Sequence, residues 1–358
     1  MPSGVEWLES LSPWPVDGFG LDRMRALLAE LGDPQLVYPS IHVVGTNGKS
    51  TTTRTIEETL LREGLSVGAY TSPHVSSWAE RIRVNGGETE LERTLSGVRP
   101  RSMALGATQF EVLTAAALLA FAEAGTDVAA VEAGLGGRHD ATNVLRSPVQ
   151  VLTNVALEHT EVLGSTREAI SAEKLAVIQP GATVVLGELE WEGLARANGA
   201  ARVVLETGGN EALAGAAASA FLGRSVEPAH VQLPGRLERR GDDEIWDGAH
   251  TPEAVRHIAP QLPPIGSVVA SVLADKDVDG LLAELARIAP VLVATRSSNQ
   301  RALGAGKLAE CGRRHFGHVE AVDEPLAALA RAHELREPVL VTGSLYLLAD
   351  LWSAAVHA

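Results

Sequence analysis

A lysine and two hydroxyl residues stand at the end of a glycine-rich turn in residues 41–64, IHVVGTNGKSTTTRTIEETLLREG. A β-branched run leads into Gly45, Thr46, Asn47 and Gly48, and a helical pattern begins at about Ser50. Glycines here let backbone N–H groups turn inward without Cβ clashes, and a helix N-terminus beyond them favours an anion. Lys49 would reach the outer phosphates of a nucleoside triphosphate. Ser50 and Thr51 would bring hydroxyls near those phosphates and any Mg2+. The strict P-loop pattern has glycine where Val43 stands. An ordinary glycine-containing turn is the alternative; Lys-Ser-Thr at a strand–helix junction favours the phosphate cradle.

Other chemically capable residues also follow strand-like runs. In AYTSPHVSSWAERIRVNG, Ser72 comes just after a strand pattern. Glu132 ends the run beginning at Asp127, followed by a turn at 134–137 and Arg138. His159 follows VQVLTNV, and Lys174 lies in the helical stretch STREAISAEKLAVIQPG. Open α/β sheets build their sites at strand C-terminal ends, which gives Lys49, Ser72, Glu132 and His159 a physical reason to converge. A carboxylate and a hydroxyl suit Mg2+, and His is a less usual ligand for so hard an ion. Each residue also has a structural alternative. Glu132 could be a buried, paired acid, His159 a turn cap, Ser72 a helix cap, and Lys174 a solvated helix residue.

These residues must be carried by strands alternating with helices. IHVVG, LSVGAY, DVAAVEAG, VQVLTNV and TVVLG read as strands, as do EIWDG, SVVASVL, VLVAT and PVLVTGS further on. Several are apolar throughout, as in strands covered on both faces. VDGLLAELARIA is helical, with Leu281, Leu282 and Leu285 as its apolar stripe. The fold class expected is α/β with largely parallel sheets. At 358 residues, two domains are expected. The stretch at 227–243 has two prolines, two glycines and a charge run, so the domains are expected at 1–230 and 236–358.

The formal net charge of −15 disfavours a general nucleic-acid binder, which needs clustered basic residues. Cys311 is the only cysteine, so neither an intramolecular disulfide nor a cysteine-based zinc site can form. Glu6 and Glu9 interrupt the N-terminal stretch, which reads as no signal peptide, and the apolar runs are too short to span a membrane. A soluble cytoplasmic protein is the expectation.

Taken together, the motifs resemble the folylpolyglutamate synthase/dihydrofolate synthase family of the Mur ligase superfamily. The matching segments include GTNGKS, YTSPHVSSWAERIRVNG, QFEVLTAAALLAFAE, EAGLGGRHDATNV, LTNVALEHTEVLGSTREAISAEKLAVI, LPGRLE, WDGAHTPEA and VLVTGSLYLLAD, in one order from about residue 17 to 350. The resemblance implies a P-loop-type ATPase domain followed by a smaller Rossmann-like domain. It implies that ATP phosphorylates a pterin-linked carboxylate, dihydropteroate or tetrahydrofolate, and that L-glutamate then attacks the acyl phosphate. By family position, Gly45, Thr46, Asn47, Gly48, Lys49, Ser50 and Thr51 hold the triphosphate, and Ser72, Glu132 and His159 hold Mg2+. Lys174 matches a lysine that is often carbamylated and then binds a second Mg2+. Asn210 matches an adenine contact, and Arg236 and Asp247 match residues closing over the nucleotide, with rotation expected about residues 230–240. His250 and Ser344 match positions near the glutamate pocket. Thr108, Gln109, Phe110 and Glu111, with Arg138, His139, Asp140 and Ala141, match segments around the pterin-bearing substrate. Family members are typically monomers.

The chain departs from that pattern in places. It has GTNGKST where the family has GTNGKGS, EHT for DHT, DGAHT for DGAHN, and GRHDATN for GRLDATN. The segment between Gly187 and Asn210 is also short. The nucleotide machinery is retained. The alternatives carried are a Mur-type amino-acid ligase with another acceptor and a non-catalytic nucleotide-binding descendant.

Overall fold

The computed structural model describes residues 2–15, 18–75 and 77–356, with side chains as far as 354. The chain divides into two compact units, Met1–Val231 and Gln232–Ala358.

The first unit is built on an eight-stranded sheet. Its strands are β1 (Ser40–Val44), β2 (Val67–Tyr70), β3 (Ile82–Val84), β4 (Gly87–Glu88), β5 (Val128–Glu132), β6 (Val149–Leu152), β7 (Thr183–Leu186) and β8 (Arg202–Leu205). They lie in the order β4-β3-β2-β5-β1-β6-β7-β8, parallel from β2 to β8, with β3 and β4 antiparallel at one edge. Every residue of β1, β5 and β6 is buried, which explains their uninterrupted apolar character. Ile41 and Val43 pack with Ile56 and Leu60 of the helix Lys49–Arg62, and with Leu213 and Ala217 of the helix Asn210–Leu222. Alternation along β1 sends Val44 to the opposite core, beside Leu152 and Ile170. The strand end feeding the phosphate loop is therefore clamped from both faces.

The second unit carries six strands: β9 (Glu238–Arg239), β10 (Glu244–Trp246), β11 (Ser267–Ala270), β12 (Val291–Ala294), β13 (His318–Ala321) and β14 (Val339–Thr342). Their order is β13-β12-β11-β14-β10-β9, parallel except for β9. The stripe of Leu281, Leu282 and Leu285 on the helix Val278–Leu285 is fully buried in this unit's core. The mixed, mostly parallel α/β fold is as the sequence led one to expect. Among the described residues, no helix is long and apolar enough to cross a membrane.

Candidate active site

The phosphate loop leaves β1 with Gly45 at φ 149° and Gly48 at φ 80°. Both positions also lack room for a side chain. A Cβ on Gly45 would stand 1.9 Å from Thr153 Oγ1, and one on Gly48 would stand 2.2 Å from Asn210 Oδ1. The loop is laced to the residues after β6. Thr46 N donates to Asn154 O at 2.9 Å, Asn47 N to Asn154 Oδ1 at 3.0 Å, and Thr153 Oγ1 to Asn47 O at 2.7 Å. Sequence reasoning passed over Thr153 and Asn154, although two polar residues directly after a buried strand were the available signal. The helix begins at Lys49, and its cap, Gly48, offers no side-chain bond to the first turn. Its leading N–H groups, the two glycines and Lys49 form a donor set suited to an oligophosphate. Lys49 Nζ itself donates to Thr46 O at 3.1 Å.

Glu132 ends β5 beside this loop and is 1% exposed. Ser50 Oγ donates to its Oε1, and the backbone N–H of Ser72 donates to its Oε2, each at 3.0 Å. This buried carboxylate with a neighbouring hydroxyl offers hard oxygen ligands that fit a small divalent cation. Lys174 is not the solvated residue considered as an alternative, because it is 1% exposed. Its Nζ donates to Gly45 O at 2.7 Å and to Glu158 Oε1 at 3.0 Å. Burial pulls its pKa down to about 8 against the opposing pull of Glu158. His159 sits at φ 47° as the cap residue of the short helix Thr160–Leu163, and its Nδ1 lies 3.9 Å from Glu161 Oε1. Its backbone thus has the turn-cap role. Thr51 lies in the first turn of the loop helix.

The segment from Thr108 begins a helix. The Thr108 N–H and hydroxyl donate to Glu111 Oε2, each at 2.8 Å. Glu111 also receives Arg23 Nε at 2.8 Å. Gln109 Nε2 donates to Leu8 O at 3.0 Å. The polar groups of Thr108, Gln109 and Glu111, expected around a substrate, are therefore engaged in starting and anchoring that helix. Phe110 does face the glycine turn after β5, since a Cβ on Gly134 would lie 2.5 Å from its ring. Its ring centroid lies 6.0 Å from that of Tyr70.

That turn is tied by Asp140, which is buried. Asp140 accepts from Leu135 N at 2.8 Å and from Thr142 N at 3.0 Å, and also from the Thr142 hydroxyl. Burial raises its pKa and these donors oppose the shift. Thr142 Oγ1 is in turn 2.8 Å from Nε2 of the buried His42 on β1. Because Thr142 donates to Asp140, His42 Nε2–H is the donor at the head of the relay. Burial drives His42 down to about 3, so the ring is neutral. Neither His42 nor Thr142 was singled out from the sequence. Ala141 is buried, Arg138 Nε bonds Glu173 Oε1 at 2.9 Å, and His139 is exposed.

In the second unit, Asp247 follows β10 and is buried. It accepts from Leu237 N and Ala249 N, each at 2.8 Å. Burial raises its pKa, and Arg236 beside it opposes the shift. His250 Nδ1 donates to Gly248 O at 2.9 Å. Ser344 Oγ accepts from Tyr346 N at 3.1 Å, at the head of the helix Leu345–Val356. Asp247, His250 and Ser344 follow the C-terminal ends of β10 and β14, and Arg236 lies in the loop before β9.

Residues 43–188 match the Mur ligase middle domain. The glycine loop with Lys49 and Glu132 falls inside that match, so fold and site together define a Mur-type ligase. A dihydrofolate synthase/folylpolyglutamate synthase of Escherichia coli is 32% identical over 407 aligned positions, covering 98% of this chain and 94% of that protein. The solved E. coli FolC in complex with DHPP and ADP superposes with a TM-score of 0.88 at 29% identity, covering 99% and 98% of the two chains. The bifunctional Yersinia pestis enzyme complexed with AMPPNP and Mn ion gives 0.86 at 30%, covering 100% and 99%. The chain belongs to the dihydrofolate synthase/folylpolyglutamate synthase family.

Proposed function

We propose that this protein uses ATP to join the amino group of L-glutamate to the carboxylate of a pterin-bearing acid, dihydropteroate or a reduced folate. The observation that carries this reading is the placement of the buried Glu132 carboxylate against Ser50, in the first turn of an uncapped helix that also presents Lys49. A carboxylate is a poor electrophile because resonance stabilises it and its oxygen leaves badly. Transfer of the γ-phosphoryl group to one carboxylate oxygen supplies a leaving group. The glutamate nitrogen then forms the amide as phosphate departs. Lys49 and the loop N–H groups stabilise charge on the transferring phosphoryl group, and the protein's main contribution is positioning. A divalent ion held by Glu132 with Ser50, Ser72 and His159 would offset phosphate charge when bound. Asn210, Arg236 and Asp247 are assigned to the nucleotide, and His250 and Ser344 to glutamate. Phe110 and the turn bearing Arg138, His139 and Asp140 are assigned to the pterin acid.

Lys174 is the residue proposed for carbamylation. Its lowered pKa makes the neutral amine accessible, and as a carbamate it would leave Glu158 and turn an anion toward a second metal. Depletion of CO2 and bicarbonate should then lower the rate, and an unchanged rate would leave Lys174 as an ammonium clamp on Gly45. The enzyme is proposed to act as a cytoplasmic monomer.

The deciding experiment is one assay with dihydropteroate, tetrahydrofolate and a Mur-type precursor in parallel, with products identified by mass. A glutamyl adduct of a pterin acid supports the proposal. Ligation to the precursor alone, or ATP binding without ligation, would overturn it.

A further inference from the structure

In the second unit, three carboxylates converge on one imidazole, away from the residues assigned above. His333 lies near the end of the helix Pro325–Leu335. Its Nε2 is 2.9 Å from Glu244 Oε2 at the start of β10. Its Nδ1 is 3.0 Å from Glu337 Oε1, two residues before β14, and 3.9 Å from Asp243 Oδ2. Among the described residues, none of the three acids pairs with an arginine or lysine; His333 is their only cationic partner. Even a charged imidazolium leaves two net negative charges, from three carboxylates and one positive ring.

The tautomer sharpens the point. Glu244 is the most buried of the acids, its side chain 14% exposed, and it accepts a hydrogen bond from Nε2–H. Nδ1 then either carries a second proton, donated to Glu337 at 3.0 Å and favoured by the surrounding acids, or presents a lone pair to a cation shared with Glu337 and Asp243. A proton and a metal ion therefore compete for Nδ1, and only the metal engages Asp243, at 3.9 Å, together with Glu337. The three ligand atoms, one each from His333, Asp243 and Glu337, lie within 4.8 Å of one another. With metal–ligand bonds of about 2.1 Å, the separations from Nδ1 correspond to angles of roughly 90 to 135°.

We propose that His333 Nδ1, Asp243 and Glu337 bind a divalent transition-metal ion of the Zn2+ class, with Glu244 fixing the ring through Nε2–H. A ligating histidine whose other nitrogen donates to a carboxylate is the usual second-sphere arrangement. An imidazole with two carboxylates selects Zn2+ over Mg2+, which prefers all-oxygen surroundings. The ion would pin the N-terminal ends of β10 and β14 to the preceding helix. Asp247, His250 and Ser344 follow the opposite ends of those strands, so the role is structural.

The test is a Zn2+ titration of untagged full-length protein, with Mg2+ and ADP saturating the nucleotide site, read by calorimetry, bound-metal analysis and thermal midpoint. One Zn2+ per chain and a raised midpoint are expected. His333→Ala should abolish both and leave the Mg2+-dependent ligase rate unchanged. Glu244→Gln should weaken binding roughly 10- to 100-fold. If His333→Ala fails to fold, Glu337→Gln decides, because that side chain is half exposed. Absence of stoichiometric Zn2+ in the wild type, or undiminished binding in these variants, would overturn the site. So would a midpoint that responds to protons and not to Zn2+.

Discussion

The carboxamide of Asn210 fills the space into which a side chain at Gly48 would project, with Oδ1 2.2 Å from the position of a Cβ there. Gly48 also has φ 80°, a conformation that L residues resist. Gly48→Ala should therefore displace Asn210 and distort the loop, weakening ADP binding by at least about tenfold in Kd. Adding Asn210→Ala removes the clash but not the backbone strain, so the double variant should recover only part of that loss. Titration calorimetry with ADP measures both. Unaltered affinity in Gly48→Ala would show that the loop tolerates a Cβ.

Among the described residues, Lys49 pairs with no acidic side chain, and its Nζ bonds only the carbonyl of Thr46. Lys49→Ala should leave the thermal midpoint nearly intact and cut turnover by roughly 10²–10³-fold, as for loss of one strong charge-stabilising donor. A pre-steady-state phosphate-release measurement checks this. Near-normal ligation would remove Lys49 from the chemistry.

Lys174 makes stability depend on pH in a defined direction. Its ordinary value is 10.5, and in the folded protein burial lowers it to about 8, with Glu158 opposing. Between those values the unfolded chain holds the extra proton. Unfolding is favoured at the low end, and stability rises with pH through the window, by roughly 1.4 kcal/mol per unit of pKa difference at most. Urea unfolding across pH 8 to 10.5 should show that rise in the wild type. Lys174→Met should flatten it, and equal slopes in both proteins would contradict the burial-driven shift.

The relay from His42 through Thr142 to Asp140 ties the strand that feeds the phosphate loop to the turn assigned to the acceptor. Thr142→Val keeps the shape and removes the hydroxyl, leaving a buried carboxylate short of a donor at a cost of about 1–3 kcal/mol. The acceptor KM should rise while ATP affinity holds, and Thr142→Ser should restore it. If ATP affinity and kcat fall in step with stability, the relay serves the core alone.

Nine strands were legible in the sequence, because most of them are buried parallel strands, largely apolar and ending in glycine-containing turns. β3, β4, β8, β9 and β13 were not recognised. Each is short or lies at a sheet edge, and β8 and β13 hold no fully buried residue. Their pairing is a tertiary fact with little local signature. In the site, Gly45, Gly48, Lys49 and Glu132 stood out because their chemistry is local to a turn or a strand end. Lys174 looked like a surface lysine on periodicity alone, and its burial under Gly45 comes from the helix's packing. Arg23 reaches Glu111 across 88 residues. His42 was hidden within a strand that otherwise reads as plain core.

Isotope transfer probes the proposed chemistry most directly. With the acceptor carboxylate labelled by ¹⁸O, phosphorylation followed by glutamate attack must move one labelled oxygen into inorganic phosphate as the amide forms. Mass spectrometry should find one ¹⁸O per phosphate released, dependent on both L-glutamate and the pterin acid. Amide formed with unlabelled phosphate, the displaced heavy oxygen appearing in AMP or water instead, would contradict an acyl-phosphate ligase.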